Sequence, residues 1–167
     1  MGEWVELDGD FQFSADESTK GYAVKLENIE FMSPKDYAAR YGLELSAFYS
    51  LDDTLPEFVA DLTLNFRNTG NDEGYIQFVY YRIYSEKDLR SFYPLADVNV
   101  LLHPEMSDKL GFKIYPGTES GPNHFCLISA VEATGAVTGN SKNFPKYLQI
   151  SMTPTRKVIE IPELNIS

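Results

Sequence analysis

The chain has 167 residues, of which 43% are hydrophobic and 23% are charged, values that fit one folded globular domain. Its formal net charge of −11 argues against nucleic acid and against an anionic membrane surface as direct partners, because both are recognised through clustered Lys and Arg. A single cysteine excludes an internal disulfide, and no apolar run approaches the roughly 20 residues of a membrane-spanning helix.

The first 20 residues are predicted to form an acidic arm, and residues 21–167 are predicted to form the domain. Phe11 and Phe13 alternate within the arm, which allows one edge strand there. Met1 is not followed by the pattern of a signal peptide.

The run from Tyr22 to Phe31 predicts the first long strand of the domain. Its apolar residues alternate as far as Leu26 and then continue at Ile29, on the opposite parity. A change of parity inside a strand is what a bulge produces, and we expect the bulge at Glu27–Asn28.

Residues 33–50 predict a small helical insert. Ser33 is a suitable N-cap, Pro34 suits the first helical turn, and Asp36 places a negative charge near the positive end of the helix dipole. Gly42 is well placed to end the helix, because glycine readily adopts the left-handed conformation of a C-cap.

The stretch from Phe58 to Gly74 is the strongest strand signal in the chain. Polar residues from Asp61 onward alternate with apolar ones, so one dry and one wet face are expected. Asn68–Gly74 predicts a hairpin loop that joins this strand to a second β-rich run, Tyr75–Tyr84. The apolar positions are Phe58, Ala60, Leu62, Leu64 and Phe66.

The second half of the chain predicts short strands joined by Pro and Gly. Pro94–Leu102 fits a short helix, although Val98–Val100 also fits a strand, and Glu132–Pro145 reads as an exposed loop. The spacing of βαβ units is absent, so we predict an all-β, antiparallel sandwich of seven to eight strands. The strands of this half are expected at Leu110–Ile114, Phe125–Val131, Leu148–Met152 and Val158–Ile161.

Four segments resemble a group of uncharacterised immunoglobulin-like domains of Gram-positive bacterial lipoproteins and secreted proteins. They are the strand and loop Leu62–Gly70, the turn Tyr115–Gly117, the closing hairpin Leu148–Ile161 and the insert Asp36–Gly42. The resemblance covers roughly residues 22–162. It implies an extracytoplasmic, non-enzymatic domain at the cell surface, held to the membrane only by a lipid anchor outside this sequence, and it implies no known ligand.

The function expected on this basis is that of a binding or accessory domain, whose partner is a protein or a cell-wall ligand. Enzymatic signals are weak, because common catalytic and phosphate-binding motifs are absent. Cys126 and His124 lie two residues apart, so on one strand they would share a face, but a buried thiol is the simpler reading. A carboxylate-dependent hydrolase is the enzymatic alternative, since acidic residues are plentiful.

Calcium is the one cofactor for which the sequence offers ligands, and the second alternative function is a calcium-stabilised structural module. Neither of two acidic groups matches the EF-hand pattern, and solvated acidic surface is the simpler reading of both. The groups are Asp8, Asp10, Asp16 and Glu17 in the arm, and Asn68, Asn71, Asp72 and Glu73 in the predicted hairpin loop.

Tyrosines suggest a ligand-binding surface for carbohydrate or peptide, because an aromatic ring with a polar end suits recognition. The competing reading is that these rings fill the core. The candidates are Tyr75, Tyr81, Tyr84 and Tyr93, with Tyr80 and Phe92 as further members.

Overall fold

The computed structural model describes residues 1–8, 19–49, 53–78, 81–84, 92–106, 111–129, 146–151 and 157–162. Within these ranges the chain is mostly antiparallel β, as predicted. The helices are α1 (Pro34–Tyr41), a 3-10 helix (Leu45–Phe48) and α2 (Ala96–Leu102). The strands are β1 (Trp4–Glu6), β2 (Tyr22–Met32), β3 (Val59–Asn68), β4 (Gly74–Gln77), β5 (Arg82–Tyr84), β6 (Phe92–Pro94), β7 (Gly111–Ile114), β8 (Thr118–Ser129), β9 (Tyr147–Ser151) and β10 (Lys157–Glu160).

Strand β3 lies inside the large sheet, with a long strand on each side. It pairs with β2 along one edge and with β8 along the other. The prediction that β3 forms a hairpin with the run after Gly74 is wrong, because these two long strands already occupy both of its edges. The predicted run Tyr75–Tyr84 is split between β4, which pairs with β7 in a separate sheet, and β5, which joins the large sheet.

The loop between β3 and β4 packs against the start of β2. The amide of Thr69 donates to the carbonyl of Gly21 over 2.8 Å. A Cβ on Gly21, whose φ is +85°, would lie 2.7 Å from the amide nitrogen of Gly70. Glycine is therefore required where the two backbones meet.

The large sheet has the order β1-β2-β3-β8-β6-β5-β9-β10. Its two end strands approach each other, since Nζ of Lys157 on β10 donates to the carbonyl of Glu6 on β1 and to the carboxylate of Asp8, each over 2.7 Å. The sheet is consequently nearly barrel-like. The immunoglobulin-like arrangement of two packed sheets stays a prediction.

The main core fills the inside of this curled sheet. Phe125 of β8 stacks on Phe78 with ring centroids 4.3 Å apart and meets Phe66 of β3 edge-on at 5.7 Å. Strands β4 and β7 add Ile76 and Ile114, which are buried against the same cluster. The small sheet therefore covers part of the main core with its inner face.

A second, smaller core lies on the outside of β3 and β8, beneath the helices. It contains Tyr37 of α1, Phe48 of the 3-10 helix, Val98 of α2, and Val59 and Cys126 of the strands. The prediction of a wet outer face on β3 is wrong in the first half of the strand, because the helical layer covers it. The prediction of a dry inner face is confirmed for Ala60, Leu62, Leu64 and Phe66, which are fully buried.

Most local predictions are confirmed. The register of β2 shifts between Leu26 and Asn28, where the bulge was expected. Helix α1 is capped by Ser33, whose Oγ accepts from the amide of Asp36, and it ends at Gly42 in the left-handed conformation. The N-terminal edge strand is β1, whereas the strand suggested at Phe11 and Phe13 and the loop at 132–145 lie outside the described residues.

Candidate functional site

The first candidate site is a buried polar cluster between α1 and the outer face of the large sheet, which we call the Asp61 network. Asp61 on β3 is only 3% exposed. Its Oδ2 accepts a hydrogen bond from Tyr41 over 2.6 Å and one from Arg40 over 3.1 Å, and Nδ1 of His124 lies 3.3 Å from Oδ1. Arg40 also pairs with Glu30 on β2 over 2.8 Å. Residues of α1, β2, β3 and β8 thus form one network around the Asp61 carboxylate.

Helical spacing places the partners of Asp61. Tyr37 and Tyr41 lie one turn apart on α1, and their rings pack with centroids 4.7 Å apart. Tyr37 also meets Phe48 at 5.8 Å. Burial of these rings fixes the helix on the sheet, so Arg40 and the hydroxyl of Tyr41 are held over Asp61.

The charges in the network influence one another. The pKa of Glu30 is lowered, chiefly because Arg40 donates a hydrogen bond to it. The pKa of Arg40 is raised, first by that same hydrogen bond and then by its bond to Asp61. Burial, followed by the hydrogen bond to Asp61, raises the pKa of Tyr41. The network therefore favours charged Glu30 and Arg40 with a neutral tyrosine.

His124 lies at the outer limit of the network, with 42% of its side chain exposed. Its Nδ1 is 2.7 Å from the hydroxyl oxygen of Tyr41. That hydroxyl carries one proton and donates it to Oδ2 of Asp61, so we infer that Nδ1 of His124 carries a hydrogen and donates to the tyrosine oxygen. Buried carboxylates orient the histidine base of hydrolases in a similar way. Among the described residues, however, no Ser, Thr or Cys hydrogen-bonds to Nε2 of His124.

Cys126 follows His124 on β8 and stands opposite Asp61 in the register with β3. Its thiol is fully buried, and burial raises its pKa, with a further upward contribution from the charge of Asp61. Asn99 of α2 holds the backbone here, because its side-chain amide donates to the Cys126 carbonyl and accepts from the Cys126 amide, each over 2.8 Å. The reactive Cys126–His124 pair considered from the sequence thus has an inaccessible, protonated thiol.

The second candidate site is the outer surface of the small sheet, which we call the tyrosine face. Tyr75 of β4 is 44% exposed and Tyr115, directly after β7, is 53% exposed. Lys113 stands opposite Tyr75 in the register, and its Nζ lies 5.1 Å from the centre of the Tyr115 ring. Glu73 pairs with Lys113 over 3.2 Å. The face therefore combines two accessible rings with an ion pair.

The four predicted ligand-binding tyrosines do not lie on one surface. Tyr81 is fully buried in the main core, and Tyr84 is buried with its ring 5.4 Å from that of Tyr147. Neither ring can reach a ligand at the surface. Tyr93 is 40% exposed on β6 of the large sheet, whereas Tyr75 lies in the small sheet. Tyr80 lies outside the described residues.

The predicted calcium ligands of the loop after β3 have different environments. Asn68 is buried, and its side chain binds the loop itself, accepting from the amide of Gly70 over 2.8 Å and donating to the carbonyl of Asp72 over 2.7 Å. Asn71, Asp72 and Glu73 are exposed. Within the described part of the chain, no three His, Cys, Asp or Glu side chains are grouped to hold a metal.

Of the acidic group predicted in the arm, the structure describes only Asp8. Asp8 is exposed and pairs with Lys157 over 2.7 Å. Asp10, Asp16 and Glu17 lie outside the described residues.

Sequence reasoning missed the Asp61 network, Tyr115 and Lys113 as site residues. Asp61 is the only charged residue in the first half of β3, and the insert that precedes this strand contains Arg40 and Tyr41. A helix placed over the outer face would have paired them. The sequence predicts a turn at Tyr115–Gly117, and that turn accounts for Tyr115 without a binding role.

The comparisons with known proteins give a family without an assigned activity. In the described ranges, no helix has the length and apolar character needed to cross a membrane. No curated protein and no solved structure matches the chain. The model of a family described as a domain of unknown function, DUF5028, matches residues 1–157, and the chain therefore belongs to the DUF5028 family.

Proposed function

We propose that this chain is a non-catalytic binding or accessory domain of the bacterial cell surface, and that it contacts its ligand through the tyrosine face. The observation that carries the proposal is the exposure of Tyr75 and Tyr115, 44% and 53%, beside the Lys113–Glu73 ion pair. Covering the apolar surface of an exposed ring with a partner is favourable, and the tyrosine hydroxyl can also hydrogen-bond at an interface.

The chemistry of the Asp61 network favours binding over the hydrolase alternative. Asp61 is almost fully buried and accepts hydrogen bonds from Arg40 and Tyr41, so its oxygens are engaged within the fold. Asn68, for the calcium alternative, uses both atoms of its amide to hold the loop. Melting in calcium and in EDTA tests that alternative, and we expect the two curves to coincide.

An extracytoplasmic location, an immunoglobulin-like fold and a lipid anchor outside this sequence belong to the same proposal. Their support is the resemblance over residues 22–162 to domains of Gram-positive lipoproteins and secreted proteins. The antiparallel pairing of the strands and the closing β9–β10 hairpin agree with that resemblance.

Co-sedimentation with isolated Gram-positive cell envelopes tests the proposal. The wild-type chain is expected in the pellet, and the double variant Tyr75→Ala/Tyr115→Ala is expected in the supernatant. Tyr49→Ala is the matched control, because Tyr49 is 46% exposed but follows the 3-10 helix, away from the small sheet. A wild-type chain that stays in the supernatant, or a double variant that pellets like the wild type, would contradict the proposal.

A further inference from the structure

We infer that the ligand of the tyrosine face is a carbohydrate chain, whose sugar rings stack on Tyr75 and Tyr115 and whose hydroxyl groups bind Lys113 and Glu73. The inference rests on the proposed function and adds the class of ligand. It is carried by the arrangement of these four side chains and of the glycine beneath one of them.

The register of the small sheet places Tyr75 and Tyr115 on the same face, next to Lys113. Tyr75 stands opposite Lys113, and Tyr115 follows Lys113 by two residues. Diagonal neighbours of this kind in an antiparallel pair are about 7–8 Å apart. Ile76 and Ile114 point the other way, into the main core, so the backbone beneath the tyrosines is anchored.

The Tyr75 side chain packs against the backbone of Gly111 on the neighbouring strand. A Cβ at Gly111 would lie 3.1 Å from both Cβ and Cδ1 of Tyr75 and 3.3 Å from its Cγ. One side of the tyrosine therefore covers the bare glycine backbone, and the opposite side of the ring faces solvent. A ring that already packs against the sheet suits stacking better than a mobile ring, because less side-chain conformational entropy is lost on binding.

Tyr115 is held by its neighbours as well. Its carbonyl accepts a hydrogen bond from the Thr118 hydroxyl over 2.7 Å, which fixes the turn after β7. Nζ of Lys113 lies 5.1 Å from the ring centre, and Glu73 holds this lysine over 3.2 Å. The polar groups of the face are thus in place before a ligand arrives.

The chemistry of the face matches a sugar. The C–H bonds on one side of a sugar ring carry partial positive charge and are attracted to the negative face of an aromatic ring. Sugar hydroxyls both donate and accept, so they can use the ammonium of Lys113 and the carboxylate of Glu73. These two charges cancel locally, and the face therefore favours neither an anionic nor a cationic ligand.

Isothermal titration with defined oligosaccharides tests this inference. The probes are peptide-free glycan strands of peptidoglycan, chitotetraose and maltotetraose, with the peptidoglycan stem peptide as the competing class. We expect saturable binding to at least one glycan and none to the stem peptide. Tyr75→Ala and Tyr115→Ala are each expected to weaken binding about tenfold, the loss of one stacking contact.

Three further variants separate stacking from a general effect. Tyr75→Phe keeps the ring and is expected to bind within about threefold of wild type, and Tyr49→Ala is expected to bind as wild type. Gly111→Ala keeps both tyrosines but crowds the Tyr75 side chain, because the added Cβ would lie 3.1 Å from its Cβ and Cδ1, and we expect weaker binding. If Gly111→Ala failed to fold, the exposed tyrosine variants would still decide the question.

The two proposals fail in different ways. Envelope binding that depends on Tyr75 and Tyr115, together with no binding of any oligosaccharide, would overturn the carbohydrate inference and leave the proposed function standing. Binding of the stem peptide through the same residues would do the same. No envelope binding and no oligosaccharide binding would overturn both.

Discussion

The Asp61 network and the tyrosine face combine aromatic and charged side chains in opposite ways. In the network, Asp61 is buried and accepts hydrogen bonds from Arg40 and Tyr41. These bonds join α1 to the sheet, so the groups that make them are engaged within the fold. On the tyrosine face, the inner residues are buried whereas the rings and the Lys113–Glu73 pair face solvent. The hydrogen bonds of the network are satisfied within the fold, which indicates a stabilising role. The tyrosine face keeps accessible groups, and the proposed binding role therefore belongs there.

Asp61→Ala should produce the largest change in the free energy of unfolding. The variant removes the acceptor of the hydrogen bonds from Arg40 and Tyr41. We expect a loss of about 2 kcal/mol in urea unfolding, below the cost of breaking a fully buried ion pair, because Arg40 can turn to solvent. Asp72→Ala, which removes an exposed carboxylate, is the control. Equal stability of the two variants would refute the structural role of the network.

Alkylation of Cys126 should report whether the same change loosens α1 locally. In the wild type the thiol is buried and its pKa is raised, so iodoacetamide is expected not to label the native protein. Asp61→Ala weakens the attachment of the helix and removes a charge that raises the thiol pKa, and we expect labelling at least about tenfold faster. Labelling measured by mass spectrometry at matched folded fraction checks this, with Asp72→Ala again as the reference. Rapid labelling of the wild type would show that the helical layer does not protect Cys126.

Tyr41→Phe should have a smaller effect, because it removes one hydroxyl from the network. That oxygen lies 2.6 Å from Asp61 and 2.7 Å from His124. We expect a loss of about 1 kcal/mol in urea unfolding. Tyr75→Ala removes a whole exposed ring and is expected to cost less than about 0.5 kcal/mol. The reverse order of these two costs would contradict the contrast between the two regions.

Elements with a local cause could be predicted from the sequence. The bulge in β2, the caps of α1 and the short helix α2 follow from residues within a few positions, and all three are present. The partners of β3 could not be predicted in this way. They depend on which strands the tertiary fold brings to its edges, and these are β2 and β8 instead of the nearest run in sequence.

The same distinction between local and tertiary causes applies to the candidate sites. Tyr75 is a candidate from the sequence and is exposed. Tyr81 is buried because β4 and β5 belong to different sheets, so the alternation expected over Tyr75–Tyr84 does not continue from one strand to the other. The alternation along its strand predicts that Asp61 is solvated. Only the placement of α1 over that face, a tertiary event, makes it the centre of a network.

The smallest expected effect is the pH dependence contributed by Glu30 at the rim of the network. Its pKa in the folded chain lies below its ordinary value because Arg40 donates a hydrogen bond to it. A lowered folded pKa stabilises the protein above the unfolded pKa, and this contribution is lost as pH falls through the folded value. The Glu30 side chain is 47% exposed, so we expect only about 0.5 kcal/mol or less from this pair.

Urea unfolding of the wild type and Glu30→Gln between about pH 6 and pH 3 measures this contribution. The wild type should be slightly more stable than Glu30→Gln at the higher pH, and the two should converge at the lower pH. High salt should reduce the difference, because the charges are screened by ions at the surface. A difference that grew on acidification would have the wrong sign for a lowered pKa, and it would place Glu30 outside the group of charges that hold Arg40 over Asp61.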